Sequence, residues 1–313
     1  MKALDRVSFD VFDGEFLAVL GPSGSGKSTL LRIIAGLEVA DSGELSLHGQ
    51  DIREVPPQER RAAVVFQNDS LYPHKSVYEN LAFPVRGKPT ADVAGTVRAM
   101  AQRLGIVHLL GAWPKQLSGG ERQRVALARG MLRDPQIVLF DEPLAHVDAQ
   151  ARSTVREEIR VFTRAFGGPV VYVTHDHEEA MALADRIAVL SAGKVMQCDT
   201  PQRVFDYPAN TFVATFVGTP PMNLLPNVSD CRGIFGIRPE HVELRRDGGD
   251  LRGTAQSTRR IAADSYTDVE TAFGMLRVRS TPGSETFAQG TEIYLKCPPE
   301  HIRLFDRSSG EAL

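Results

Sequence analysis

Residues Gly21-Pro22-Ser23-Gly24-Ser25-Gly26-Lys27-Ser28-Thr29 satisfy the spacing G-x-x-x-x-G-K-[ST]. Glycines at those positions let backbone N–H groups wrap an anion, and a helix beginning there adds its positive end. The chemistry suits the phosphates of a nucleotide. Lys27 reaches the β and γ phosphates, Ser28 ligates Mg²⁺, and Thr29 steadies the loop. A glycine-rich turn without a ligand is the plainer alternative, but the lysine and hydroxyl pair argues against it.

Hydrolysis also needs an acid for the metal and a group to position water. QIVLFDEP supplies two adjacent carboxyls at the end of an apolar run, with Asp141 placed for Mg²⁺ and Glu142 for the attacking water. Two acids there could also be a plain helix N-cap. The run VVYVT ends at His175, which can donate to a γ-phosphate oxygen, and AAVVFQ ends at Gln67, which can reach the metal or the water. His175 and His177 could be read as a metal pair, yet no further ligand is nearby. Far from the first loop, LSGGERQRVALARG (Leu117–Gly130) opens a charged helix with paired glycines. It is a second anion-binding turn with no lysine of its own.

Short apolar runs and helical periods must carry these groups. FLAVL (Phe16–Leu20) reads as a buried strand, and Leu30, Leu31, Ile33, Ile34 and Leu37 recur at helical spacing after the loop. Glu44–Leu47, Ala62–Phe66, Ile137–Phe140 and Val170–Val173 read as further strands. Ala91–Leu104, Glu121–Leu132, Asp148–Phe166 and Glu178–Ala184 read as helices. Alternation of this kind predicts an α/β fold with a mainly parallel sheet covered on both faces. The helical stretch in its middle reads as an inserted subdomain. After Gly218 comes the proline-rich TPPMNLLP, then alternating runs broken by glycine, an all-β signal. PEHVEL and PEHIRL echo each other there, and we read the echo as a repeated turn that starts a strand.

The chain has 313 residues, 42% hydrophobic and 24% charged, with net charge −3. That balance fits a folded protein of two domains and gives no basic footprint for nucleic acid. Three scattered cysteines, Cys198, Cys231 and Cys297, give neither a disulfide framework nor zinc spacing and suit a reducing compartment. The apolar runs are too short to span a membrane, and aspartates interrupt any signal-peptide pattern at the N-terminus. Taken by itself, the chain reads as cytosolic.

In order, the phosphate loop, Gln67, LSGGE, LFDEP, Asp148 and His175 resemble the ATPase subunit of ABC transporters, over essentially the whole chain. FQNDSLYPHKSVYENLAFPV, DTPQRVFDYPANTFVATFVG and GIRPEHVEL are similar to segments of importers of the maltose and glycerol-phosphate type. The resemblance implies a P-loop NTPase (RecA-like) core over residues 1–218, with a helical subdomain at about 70–134. A small OB-like β-barrel over 219–313, for regulation or dimerisation, follows. It implies ATP and Mg²⁺ as ligands and two subunits packed head to tail. Each ATP then lies between one phosphate loop and the other subunit's LSGGE turn, so Ser118, Gly119 and Gly120 serve the partner's nucleotide. The backbone near Asp148 meets the opposing loop. It further implies transmembrane permease subunits, indirectly a solute-binding protein, and a peripheral place on the cytoplasmic face of the inner membrane. The solute class is carbohydrate, polyol or glycerol phosphate, while polyamine, iron and molybdate importers share the architecture. A soluble ABC ATPase acting on nucleic acid and a poorly hydrolysing regulatory subunit are the readings of a different kind.

Two departures stand out. Relatives carry a strand and an adenine-stacking aromatic before the segment matching Lys2–Phe9, where this sequence begins, and a misassigned or truncated start is the expectation. Before Asp148 they carry serine, asparagine and leucine, where this chain has Ala145, His146 and Val147. That second departure leaves a homodimer and a heterodimer with a companion ATPase both open.

Overall fold

All five residues of FLAVL are buried in strand β1 (Phe16–Leu20). In this computed structural model, which describes residues 2–66, 71–86, 92–145, 147–226, 233–261, 263–281 and 284–313, two units form, Met1–Pro201 and Gln202–Leu313. The first unit continues from β1 through α1 (Lys27–Ala35), β2 (Ser46–Leu47), β3 (Gln50–Asp51), β4 (Ala62–Val65), α2 (Val77–Ala82), α3 (Val93–Arg103) and α4 (Gly119–Met131). Then come β5 (Ile137–Asp141), α5 (Ala149–Phe166), β6 (Val170–Thr174), α6 (His177–Leu183), β7 (Arg186–Ser191) and β8 (Lys194–Asp199). Among the described residues the main sheet runs β4-β5-β6-β1-β7-β8, parallel except for the β7–β8 pair.

Side chains alternate across this sheet and divide the core in two. Val138, Phe140, Val170 and Tyr172 join a cluster with Val125 and Leu127 of α4. Leu139, Val171 and Val173 face the other way and join Leu30, Leu31 and Ile34 of α1. The helix that follows the phosphate loop and the helix that follows LSGGE therefore lie on opposite faces of one sheet. Each fully buried large side chain contributes about 1.5–3 kcal/mol, so both faces are firmly held.

The LSGGE helix begins earlier in the structure than in the sequence reading, for a local reason. We place the LSGGE helix from Glu121, but α4 begins at Gly119, because the Ser118 hydroxyl accepts from the Glu121 N–H and the Glu121 carboxylate accepts from the Ser118 N–H. This reciprocal capping box fixes the start at the glycines. Ser76 and Glu79 make the same box at the start of α2. The strand read at Glu44–Leu47 shortens to β2, which pairs only with β3 outside the main sheet. His48 and Gly49 form its turn with φ of 49° and 77°, the positive pair that a two-residue hairpin turn uses.

The second unit holds α7 (Pro201–Asp206, whose first residue ends the first unit), α8 (Thr211–Phe216), β9 (Asn223–Pro226), β10 (Gly233–Ile237), β11 (Glu243–Arg245) and β12 (Leu251–Ile261). β13 (Asp264–Thr271), β14 (Gly274–Ser280), β15 (Glu292–Lys296) and β16 (Arg303–Asp306) complete it. Its sheets run β16-β10-β9 and β11-β15-β12-β13-β14. The PEH echo is a repeated turn: Pro239–His241 carries the chain from β10 to β11, and Pro299–His301 carries it back from β15 to β16. The His241 and His301 rings stack where these crossings meet, with centroids 3.8 Å apart.

Beside the first PEH turn, Arg238 is 2% exposed and has no carboxylate among its bonded partners in the described residues. Its guanidinium donates to the carbonyls of Ala214 (3.2 Å), Val217 (2.5 Å) and Phe205 (2.8 Å), and lies 4.1 Å over the Phe205 ring. Burial pulls its pKa down to about 10, still protonated at neutral pH. The arginine thus donates to carbonyls that helix ends leave without partners inside their own helices. Arg238→Met is expected to lower stability by about 3 kcal/mol, since three carbonyls lose a charged donor inside the fold. Urea unfolding checks this, and an unchanged midpoint would contradict it.

Candidate active site

Gly21 follows β1, and a Cβ there would collide with the Leu190 carbonyl of β7, so the loop passes the neighbouring strand too closely for any side chain. Gly26 caps α1 at φ 107°, where a Cβ would meet the Ala3 carbonyl at 2.6 Å. The loop is braced from outside its own sequence. The turn between β7 and β8 donates from Gly193 N–H to the Ser25 carbonyl at 3.0 Å and accepts from Asp5 N–H at 2.7 Å. Neither β7 nor β8 is in the sequence reading, although RIAVLS and KVMQCD around Ala192-Gly193 carry a hairpin signal.

Lys27 is 6% exposed, and its ammonium donates to the carbonyls of Gly21 at 2.8 Å and Pro22 at 2.9 Å. Burial pulls its pKa down, and the nearby Glu142 and Asp141 charges oppose that pull. Ser23, Gly24 and Ser28 face solvent, and Pro22, Gly26 and Thr29 are half-buried. Ser28 Oγ lies 3.4 Å from Asp141 Oδ1 at the end of β5. A hydroxyl beside a carboxylate is an oxygen donor set that suits Mg²⁺. Burial and then Glu142 push the Asp141 carboxyl up, more than Ser28, Arg32 and Lys27 pull it down. A divalent cation there would offset the repulsion between the two neighbouring carboxyls.

Glu142 adopts φ 46°, a left-handed conformation that costs a residue other than glycine about 1–2 kcal/mol. Its N–H donates to the Val173 carbonyl of β6 at 2.9 Å, and its own carbonyl accepts from Ala145 N–H at 3.2 Å. The turn aims its carboxylate at His175, with Oε2 3.0 Å from Nδ1. When that carboxylate is ionised, Nδ1 carries the proton and donates. Nε2 is then an acceptor in the neutral ring and a donor only in the imidazolium.

Lys27, Ser28, Asp141, Glu142 and His175 thus gather at the carboxyl ends of β1, β5 and β6. Ser118, Gly119 and Gly120 do not join them, because α4 lies across the sheet from α1. The Ser118 hydroxyl is held by Glu121 at 2.8 Å, which leaves the first N–H groups of α4 as the donors of that turn. Asp148 is exposed just before α5, and its carbonyl accepts from Arg152 N–H at 3.0 Å. Val147 is buried in the α4-side cluster, so at this departure the chain keeps an apolar core residue. Gln67 and His146 lie outside the described residues. Among residues that sequence reasoning passed over, Tyr172 and Thr174 both donate to the Glu179 carboxylate, on either side of His175 in the sequence.

The family profile described as ABC transporter matches residues 4–145, and one described as TOBE domain matches residues 235–305. The sn-glycerol-3-phosphate import ATP-binding protein UgpC of Rhodopseudomonas palustris is 40% identical over 337 residues, covering 97% of this chain and 93% of that protein. The trehalose/maltose import ATP-binding protein MalK of Thermococcus litoralis is 38% identical, covering 100% of this chain and 96% of its own. Among solved structures, the dimeric structure of MJ0796, a bacterial ABC transporter cassette, matches with TM-score 0.57 and 30% identity. The match covers 64% of this chain and 90% of that one.

The raised Asp141 carboxyl makes a prediction whose sign is unusual for an acid. The fold disfavours its charged form, so stability falls as pH rises from the ordinary carboxylate range through the raised value. Asp141→Asn is therefore expected to raise the unfolding midpoint of the nucleotide-free protein at pH 7. The same change is expected to raise the Mg²⁺ concentration needed for ATP hydrolysis. Calorimetry and a Mg²⁺ titration check the two halves, and a lowered midpoint would contradict the first.

Proposed function

Since the chain belongs to the family of ABC transporter ATP-binding proteins and is an ATPase that binds ATP, we propose that it powers uptake of a carbohydrate, polyol or glycerol phosphate through a membrane permease. The relatives named for sn-glycerol-3-phosphate import and trehalose/maltose import support that solute class. The observation that carries the chemistry is the Glu142–His175 contact beside Lys27, Ser28 and Asp141.

On this reading Gly21–Thr29 wrap the phosphates, and Lys27 exchanges its two carbonyl partners for phosphate oxygens. Ser28 and Asp141, with Gln67, would hold a Mg²⁺ ion, which would supply positive charge against the phosphates. Glu142 orients a water and accepts its proton as the water oxygen attacks the γ-phosphorus and the bond to the ADP oxygen breaks. His175 holds a γ-phosphate oxygen through Nε2, which requires the imidazolium form while Nδ1 stays on Glu142. The positive end of α4 serves a second chain's nucleotide, with Ser118 shaping the turn and Gly119 and Gly120 supplying donors. The placement of α1 and α4 on opposite faces of the sheet supports service in trans. Asp148 meets the opposing phosphate loop.

The working assembly is two ATPase subunits, identical or with a companion, on the permease at the cytoplasmic face of the membrane, supplied by a solute-binding protein. Residues 1–218 act as the ATPase domain and residues 219–313 as the pairing or regulatory domain, with α7 and α8 the stretch that the structure groups with the second unit. No helix among the described residues is long and apolar enough to cross a membrane, so the permease provides the path. Glu142→Gln is expected to keep ATP affinity within about twofold and to lower turnover at least about 100-fold. Near-normal turnover in a steady-state phosphate-release assay would remove Glu142 from the chemistry.

A further inference from the structure

Glu179 has no place in the chemistry above, yet it is 5% exposed. A carboxylate withdrawn from water is costly unless it is well bonded. Its Oε2 accepts from the Tyr172 hydroxyl at 2.8 Å and from the Thr174 hydroxyl at 2.8 Å. Tyr172 is itself fully buried, with its ring 5.4 Å from Phe16 and 5.6 Å from Phe140, so its hydroxyl is fixed from the core. Thr174 Oγ1 also accepts from Asp176 N–H at 2.9 Å. Asp176 Oδ1 accepts in turn from the N–H groups of Glu178 at 2.8 Å and Glu179 at 3.2 Å.

His175 sits between Thr174 and Asp176, so both of its neighbours belong to this one bonded ring. The imidazole itself stays outside the ring, 60% exposed, and touches Glu142. A glutamate in the first turn of a helix gains from the helix dipole while remaining in water. Glu179 instead turns inward and gives up that hydration, and what it holds is the turn that carries His175. On the outer side Arg152 helps, with its guanidinium 3.9 Å from Asp176 and its Nε donating to the Val147 carbonyl at 3.0 Å.

We propose that Glu179 is a positioning residue for His175: by accepting from Tyr172 and Thr174 it locks the backbone turn that presents the imidazole to Glu142 and the γ-phosphate. The inference rests on the reading of His175 given above. Burial pushes the Glu179 carboxyl above its ordinary value, and the two hydroxyl donors pull against that without cancelling it.

The test combines ¹⁵N-histidine NMR, ATP turnover and ATP binding on Thr174→Val, Thr174→Ser and Glu179→Gln, each alone and with His175→Ala. The His175 ring signals are identified by their loss in His175→Ala. Thr174→Val keeps the side-chain volume, and it is expected to shift those signals and lower kcat about tenfold with ATP affinity within about twofold. Glu179→Gln is expected to shift the same signals, and Thr174→Ser to restore both position and rate. In the His175→Ala background, Thr174→Val is expected to lower the remaining rate no further. Ring signals unmoved in both Thr174→Val and Glu179→Gln would overturn the proposal, as would a further tenfold fall in the His175→Ala background. Full turnover by His175→Ala alone would remove the role given to His175, and the ring signals would then decide the positioning claim by themselves.

Discussion

The hydrogen bond from Glu142 N–H to the Val173 carbonyl is the contact on which the rest of the site depends. It continues the parallel register of β5 and β6, in which Asp141 pairs with Val173, one residue past the end of β5. There the chain turns through a left-handed conformation that only a firm anchor sustains. Because the same Val173 lies two residues before His175, the bond fixes both members of the Glu142–His175 pair against one strand end. Asp141 is left at the last paired position, facing Ser28. Three functional groups are thus set by one register, before any side chain is chosen.

The sheet also divides the labour of its two faces. On one, α1 packs against Leu139, Val171 and Val173 and holds the phosphate loop at the end of β1. On the other, α4 packs against Phe140 and Tyr172 and holds the LSGGE turn. Close-packed faces of this kind do not let either helix slide around the sheet, which supports the proposal that the LSGGE turn serves another molecule. The departures from the usual pattern do not disturb this division. Val147 remains a core residue, and the Ala3–Asp5 segment lies against Gly26 and Gly193, part of the loop's support.

Much of this was legible in the sequence where the signal is local. The phosphate loop is a fixed spacing, and FLAVL, IVLF and VVYV are continuous apolar runs that only a strand buried on both faces explains. The residues that fail to announce themselves act on partners in another element of the fold. Gly193 supports Ser25 from far along the chain, and no periodicity links the two. Arg238 lies within GIRPEHVEL, where an arginine before a proline turn looks solvent-facing; its burial follows from the carbonyls that α8 and Phe205 leave open. Nothing in HDHEEA marks Glu179, because the hydroxyls that draw it inward come from a strand, Tyr172 and Thr174. The start of α4 was misjudged by two residues, since paired glycines suggest a loop until the Ser118–Glu121 box is seen.

The central claim is that the LSGGE turn completes the nucleotide site of a second chain. It is tested most directly by light scattering with nucleotide counting on Glu142→Gln in Mg²⁺–ATP, compared with the same variant carrying Ser118→Arg. The account predicts a particle of twice the chain mass that retains two nucleotides, and loss of that retention when Ser118 is replaced. A nucleotide-saturated monomer, or retention indifferent to Ser118→Arg, would contradict it.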